Sequence, residues 1–261
     1  MGRFAELLGK NPIIGVIHLP PLPGYATSPG IAAVVAKALR DLEALEEGGV
    51  DGVLVENEED RPHRVEAAPE TVAAMTRVTC ELVRAARRAT IGVEILLNDP
   101  FASVAVAQMA GASFVRTDYF VDPMERPEHG GLMKIDPVGL MAHRERLGAQ
   151  HVLILADIQV KYARLTVDRS LAESARLARE HRADAIVVTG RVTGDPPRLE
   201  EIAEAKAGAG DCPVLVGSGL DAANARSLLS LADGAIVGTS LKTGELVDLE
   251  KVRALLAVAR G

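Results

Sequence analysis

Eight short apolar runs rich in Val and Ile, at residues 13–18, 52–56, 91–97, 113–117, 151–157, 185–189, 213–217 and 234–238, have starts about 32 residues apart on average. That spacing is what a strand, a crossover helix and a second parallel strand require. The runs are continuously apolar rather than alternating, as suits a parallel sheet whose outer face is covered by helices. Between them lie helical patterns. In residues 31–47, Val34, Val35, Ala38, Leu39, Leu42 and Leu45 recur at helical spacing, and Gly48-Gly49 supplies a stop. In residues 69–88, Pro69 holds a first-turn position and Val72, Met75, Val78, Leu82 and Val83 share a face. At four junctions a polar residue precedes an apolar strand: Asp51, Ser113, Asp184 and Asp233. Eight such units in 261 residues predict one α/β domain, a (β/α)8 TIM barrel. The competing architecture, a doubly wound open sheet, lacks its Gly-x-Gly-x-x-Gly after the first strand. The longest irregular stretch, residues 119–135, falls between the fourth strand and its helix, where a loop of that length is uncommon unless functional.

Composition removes several function classes. A net charge of −7 with no dense Lys/Arg face argues against nucleic acid, and 3% aromatic residues with no Trp argue against base or sugar stacking platforms. Cys80 and Cys212 lie far apart without metal-type spacing, so reduced thiols in a cytoplasmic protein are expected. The first ten residues lack a signal-peptide core, and no run approaches a membrane span; peripheral attachment stays open. Strand 6 carries no lysine for a Schiff base, and Gly-x-Ser-x-Gly, His-Glu-x-x-His and Gly-x-x-x-x-Gly-Lys-Ser/Thr motifs are missing. Acid/base chemistry on a phosphorylated small molecule is what remains.

In such a barrel the residues that end the strands share one mouth. Strands 7 and 8 run into Gly217-Ser218-Gly219 and Gly238-Thr239-Ser240, small turns able to aim N–H groups and hydroxyls at one phosphate, with Gly190 after strand 6 beside them. His18, Glu56, Asp157 and Lys161 are the candidate catalytic groups, as acid, base or stabiliser of negative charge. Asn57, Glu94, Asn98, Arg116, Asp118, Thr189 and Lys242 are candidate substrate contacts. Glu94, inside its strand, reads either as a lip residue or as a buried partner of Arg116 or Lys161. Asp99, Asp136 and Asp221 read as helix starts, and Glu58-Glu59-Asp60 as solvated loop. No cofactor is expected. A divalent metal stays open, unsupported by ligand spacing.

Taken together, the strand-end motifs resemble the BtpA/SgcQ family. They comprise Ile14-Gly15-Val16-Ile17-His18-Leu19-Pro20-Pro21-Leu22-Pro23-Gly24, Asp51-Gly52-Val53-Leu54-Val55-Glu56-Asn57, Val187-Val188-Thr189-Gly190 with Thr193-Gly194, Pro213 to Gly219, and Ile236-Val237-Gly238-Thr239-Ser240-Leu241-Lys242. The resemblance implies a TIM barrel of the ribulose-phosphate-binding type. For function it implies a link either to photosystem I accumulation or to sugar metabolism. Where relatives tend to have Arg-Asn-Asp, Arg-Val-Asn and Val-Lys-His-Ala, this chain has Leu97-Asn98-Asp99, Arg116-Thr117-Asp118 and Val160-Lys161-Tyr162-Ala163, which suggests a subgroup with its own substrate. Three readings are carried forward: an enzyme acting on a sugar phosphate or nucleoside monophosphate, a noncatalytic factor in biogenesis of a membrane complex, and a phospholigand sensor. A homo-oligomer is expected, since barrels of this kind often pair through surface loops.

Overall fold

A computed structural model, describing residues 3–261, turns all eight runs into strands of one closed parallel barrel. They are β1 (Ile13–His18), β2 (Gly52–Glu56), β3 (Thr90–Glu94), β4 (Phe114–Thr117), β5 (Leu153–Ile158), β6 (Ala185–Val188), β7 (Val214–Val216) and β8 (Ala235–Val237). Each strand neighbours the next, and β8 returns to β1 with Ile13 opposite Ala235 and Gly15 opposite Val237. That closure removes the open-sheet alternative and leaves no exposed edge. The helices α1 (Ile31–Gly48), α2 (Pro69–Ala85), α3 (Pro100–Ala110), α4 (Pro137–Arg146), α5 (Leu171–Glu180), α6 (Leu199–Ala209), α7 (Ala225–Leu228) and α8 (Leu249–Arg260) follow the strands in turn. A further short helix, Arg3–Leu8, precedes β1 and sends Phe4 and Leu8 into the apolar cluster inside the barrel. Among the described residues no helix is long and apolar enough to cross a membrane.

Helix ends follow local chemistry. Gly49 closes α1 in the left-handed region at φ 95°, its N–H reaching the carbonyls of Leu45 and Glu46. α2 stops at Ala85, short of residue 88, because the buried Glu46 carboxylate accepts the N–H groups of Arg87, Arg88 and Ala89. Asp99 and Asp136 cap α3 and α4, and Asp221 accepts the N–H groups of Ala223 and Asn224 ahead of α7.

The polar residue before each strand has a structural task. Asp184 gives its N–H to the Ile154 carbonyl at 2.8 Å and accepts the Ile154 N–H at 2.9 Å. Asp51 grips Ile13 and Asp233 grips Val214 in the same two-point way. Each carboxylate also holds one cation, Arg144 on Asp184, Arg260 on Asp51 and Lys206 on Asp233. Ser113 keeps only the backbone half of the clamp, to Ile91. Strand register is thereby set at the bottom of the barrel.

Inside, Ile14, Val16, Leu54, Phe114, Leu153, Leu155, Ala185, Val187, Leu215 and Ile236 form one buried cluster. Gly92 supplies the room for the Phe114 ring, which a Cβ there would meet at 2.1 Å. The remaining core lies between barrel and helices. The stretch 119–135 is not irregular throughout. Met124–Arg126 pairs with Gly131–Leu132 on one side and Arg164–Leu165 on the other in a three-stranded antiparallel sheet, over a cluster of Leu97, Tyr119, Met124, Met133 and Val160.

Candidate active site

Side chains of a strand alternate between its faces, so adding two to the last lumen residue of each strand gives the next inward layer. From Val16, Leu54, Gly92, Phe114, Leu155, Val187, Leu215 and Ile236 that step reaches His18, Glu56, Glu94, Arg116, Asp157, Thr189, Gly217 and Gly238. The apolar lumen thus ends in a layer of ionisable groups and glycines at the mouth. All eight had been singled out in the sequence, and the structure brings them together.

Arg116 organises this layer. Its Nε and Nη2 donate to Asp157 at 2.8 and 2.9 Å, while Glu56 and Glu94 stand 3.7 and 3.9 Å away. Burial lifts Asp157 to about 6 even against that pair. Burial also lifts Glu94 well above the carboxylate range, with Asp118 adding to the rise. Glu56 is raised by burial as well, but the Arg116 charge and a hydrogen bond from Glu94 hold it back. Glu94 is therefore raised more strongly than the neighbouring Glu56 carboxylate. One oxygen of that carboxylate, Oε1, is buried without a hydrogen-bond partner among the described residues.

His18 Nε2 lies 3.7 Å from Glu56 Oε2. Burial, reinforced by Lys242, Lys37, Lys161 and Arg116, pushes this imidazole down to about 3, so it is neutral at physiological pH. Lys37 was not anticipated from the sequence; it reaches from α1 to the His18 carbonyl and to Asp41, each at 2.6 Å. Lys242 is lowered to about 8 by burial and the charge of Lys37.

The mouth has two lobes. One is bounded by His18, Gly217 to Asp221 and Gly238 to Ser240. The other is bounded by Glu94, Asp118, Arg61, His63, Arg126 and Tyr162. Glu56, Glu58, Arg116, Lys161 and Thr193 belong to both, so Glu56 stands where the lobes meet.

The two glycine turns differ from the expected cradle in one respect. Ser218 Oγ donates to the Asp195 carbonyl and accepts the Gly190 N–H, both at 2.8 Å, and Ser240 Oγ donates to the Leu220 carbonyl at 2.6 Å. These hydroxyls and the Gly190 N–H therefore stitch loops together. The N–H groups of Gly219, Leu220, Thr239 and Ser240 have no acceptor among the described residues, and the exposed Thr239 hydroxyl is free as well. Gly219 takes φ +66°, and a Cβ there would strike Pro196 N at 2.2 Å, so the turn closes only with glycine.

Other expected contacts fall outside the lobes. Asn57 braces the β2 and β3 loops through the Leu96 N–H and carbonyl and through Asp60. Asn98 donates to the Lys134 carbonyl in a separate cavity beside α3 and α4. Thr189 accepts the Lys161 N–H. Asp60, read as solvated, is fully buried because it accepts the Leu22 N–H and anchors the proline-rich loop after β1. Glu58 was missed as a mouth residue; its only signal was its place two positions beyond Glu56. Among the described residues no group of three or more His, Cys, Asp or Glu is placed to hold a metal ion.

A family-wide sequence model, that of the BtpA family, matches residues 9–261. An uncharacterized protein of Archaeoglobus fulgidus is 39% identical over 252 residues, covering 97% of this chain and 100% of its own. The photosystem I biogenesis protein BtpA of Synechocystis is 36% identical over 269 residues, covering 100% of this chain and 92% of its own. Among solved structures, a 3-hexulose-6-phosphate synthase aligns with a TM-score of 0.60 at 15% identity over 95% of this chain and 99% of the other, a likeness of fold.

Proposed function

The chain belongs to the BtpA family, and we propose that it is an enzyme that moves a proton on a small phosphorylated compound bound across the barrel mouth. The observation that carries the proposal is Glu56: a buried carboxylate, one oxygen of which lacks a hydrogen-bond partner among the described residues, beside a neutral His18 and lining the same cavity as the free N–H groups of two glycine turns. A buried carboxylate so under-satisfied is costly unless a ligand completes it. In this reading the phosphate sits on the Gly219, Leu220, Thr239 and Ser240 N–H groups, as an oxyanion suits. Glu56 removes a proton from carbon next to a carbonyl, and Lys161 stabilises the negative charge that develops on the carbonyl oxygen. Returning that proton to the former carbonyl carbon, while the hydroxyl proton of the deprotonated carbon passes to the former carbonyl oxygen, gives an isomerisation; loss of a leaving group from the carbon beyond the enolate gives a lyase reaction. Arg116 and Asp157 hold the floor of the site, and Glu94 stands opposite Glu56 in the register of β2 and β3.

The test is calorimetric titration with phosphorylated sugars, followed by proton exchange into the bound sugar from deuterated water. Wild type is expected to bind and exchange. Glu56→Gln is expected to bind within about threefold and to lose at least about a hundredfold in exchange. Equal exchange rates would overturn the assignment of Glu56. The name of the Synechocystis relative favours a second reading, a noncatalytic factor in assembling a membrane complex. Full biological activity of a Glu56→Gln/Asp157→Asn double variant would favour that reading over catalysis.

A further inference from the structure

The chemistry of the second lobe narrows what lies beyond the phosphate, an inference that rests on the proposed phosphate site. Three arginines border this lobe, and each already has a carboxylate partner. Arg61 pairs with Glu58, Arg116 with Asp157 at 2.8 Å, and Arg126 with Glu128 at 2.8 Å. Arg126 also lies over the Tyr162 ring, 5.6 Å from its centre, so that aromatic face is already covered against a stacking base. What the lobe leaves open is Asp118 and Lys161, two partly buried charged side chains that make no side-chain hydrogen bond or ion pair among the described residues. An ionised carboxylate only accepts hydrogen bonds and an ammonium only donates them. The group they jointly recognise must therefore offer O–H donors and oxygen acceptors side by side, which adjacent hydroxyls do. A second phosphate or a carboxylate would face Asp118 with only Lys161 uncommitted.

We infer that the ligand is a sugar monophosphate whose far end carries adjacent free hydroxyls, read by Asp118 and Lys161, and that sugar bisphosphates, phosphorylated acids and nucleotides are excluded. Asp118 rejects a second anion by like charge, and a base stacking on the Tyr162 face over which Arg126 lies would have to displace that guanidinium.

Calorimetry on the intact chain with unreactive probes tests this: inorganic phosphate, glycerol 3-phosphate, ribitol 5-phosphate, ribitol 1,5-bisphosphate and uridine 5′-monophosphate. Ribitol 5-phosphate is expected to bind at least about tenfold tighter than glycerol 3-phosphate and than either remaining organic probe. Asp118→Asn is expected to shrink the gap to the bisphosphate at least about fivefold, and Lys161→Met to erase the gain of ribitol 5-phosphate over glycerol 3-phosphate. Each variant's melting curve and its affinity for inorganic phosphate report whether fold and phosphate site are intact. A bisphosphate or nucleotide that binds tighter than ribitol 5-phosphate overturns the inference while leaving the phosphate site standing. So does a ranking unchanged in both variants. If no probe binds, inorganic phosphate included, the phosphate site falls and this inference with it.

Discussion

At the scale of single residues, the mouth is a set of groups held away from their ordinary protonation by burial. His18 shows how that state reads out. Its imidazole titrates at about 3 in the folded chain against 6.5 for an unperturbed histidine. Between those values the unfolded chain holds a proton that the folded chain refuses, so stability falls as pH drops through the window and is untouched above it. His18→Gln removes this term. Its unfolding free energy in urea is expected to gain about 2 kcal/mol on wild type between pH 7 and pH 4.5, and parallel pH curves would disprove the neutral imidazole. The groups themselves were legible because each ends an apolar run, and a polar group at that spot in a barrel points inward by the two-residue period. Their hydrogen bonds were not legible. Whether Ser218 offers its hydroxyl to a ligand or to Asp195 depends on a loop 23 residues away, and the burial of Asp60 depends on Leu22, 38 residues away.

At the scale of elements, the junction aspartates explain why weak repetition in the sequence marks a real structural unit. Each clamps a residue at the start of the preceding strand at two points, yet the three clamps differ in what removing the carboxylate strands. Arg144 beside Asp184 is 4% exposed, and its Nε has no partner among the described residues; Arg260 beside Asp51 is half exposed. Asp184→Ala is therefore expected to cost about 3 kcal/mol, the range for breaking a buried pair, against about 1 kcal/mol for Asp51→Ala, where water replaces the lost partner. Urea midpoints with unchanged slopes measure both, and equal losses would mean that the cation plays no part. The strands were readable from apolar runs and spacing, since a parallel barrel needs both. The small sheet in 119–135 was not, because strands of two or three residues carry no period and one of them lies beyond β5, at Arg164–Leu165.

At the scale of the whole molecule, closure of the barrel also places the second glycine turn, because β8 both meets β1 and carries Gly238 to Ser240. The seam is held from outside by α1 and α8. Gly48 lets them touch, since a Cβ there would come within 2.2 Å of Val252 Cγ1, and Asp41 on α1 accepts the Val247 N–H ahead of α8. The closure was legible as a count of eight strands; the packing that secures it rests on one glycine, which in the sequence reads as a helix stop. Gly48→Ala is expected to lose about 2 kcal/mol through overpacking. If seam and phosphate turns form one cooperative unit, the same change weakens inorganic phosphate about fivefold although residue 48 lies on an outer helix, the size of coupling seen between connected sites. Asp184→Ala, of equal or larger cost but seated between β5 and β6, controls for general loosening and is expected to leave phosphate affinity unchanged. Equal effects of the two variants on phosphate would separate the seam from the site. A loss confined to Gly48→Ala would mean that a phosphorylated ligand, by binding the turns of β7 and β8, fastens the barrel where its first and last strands meet.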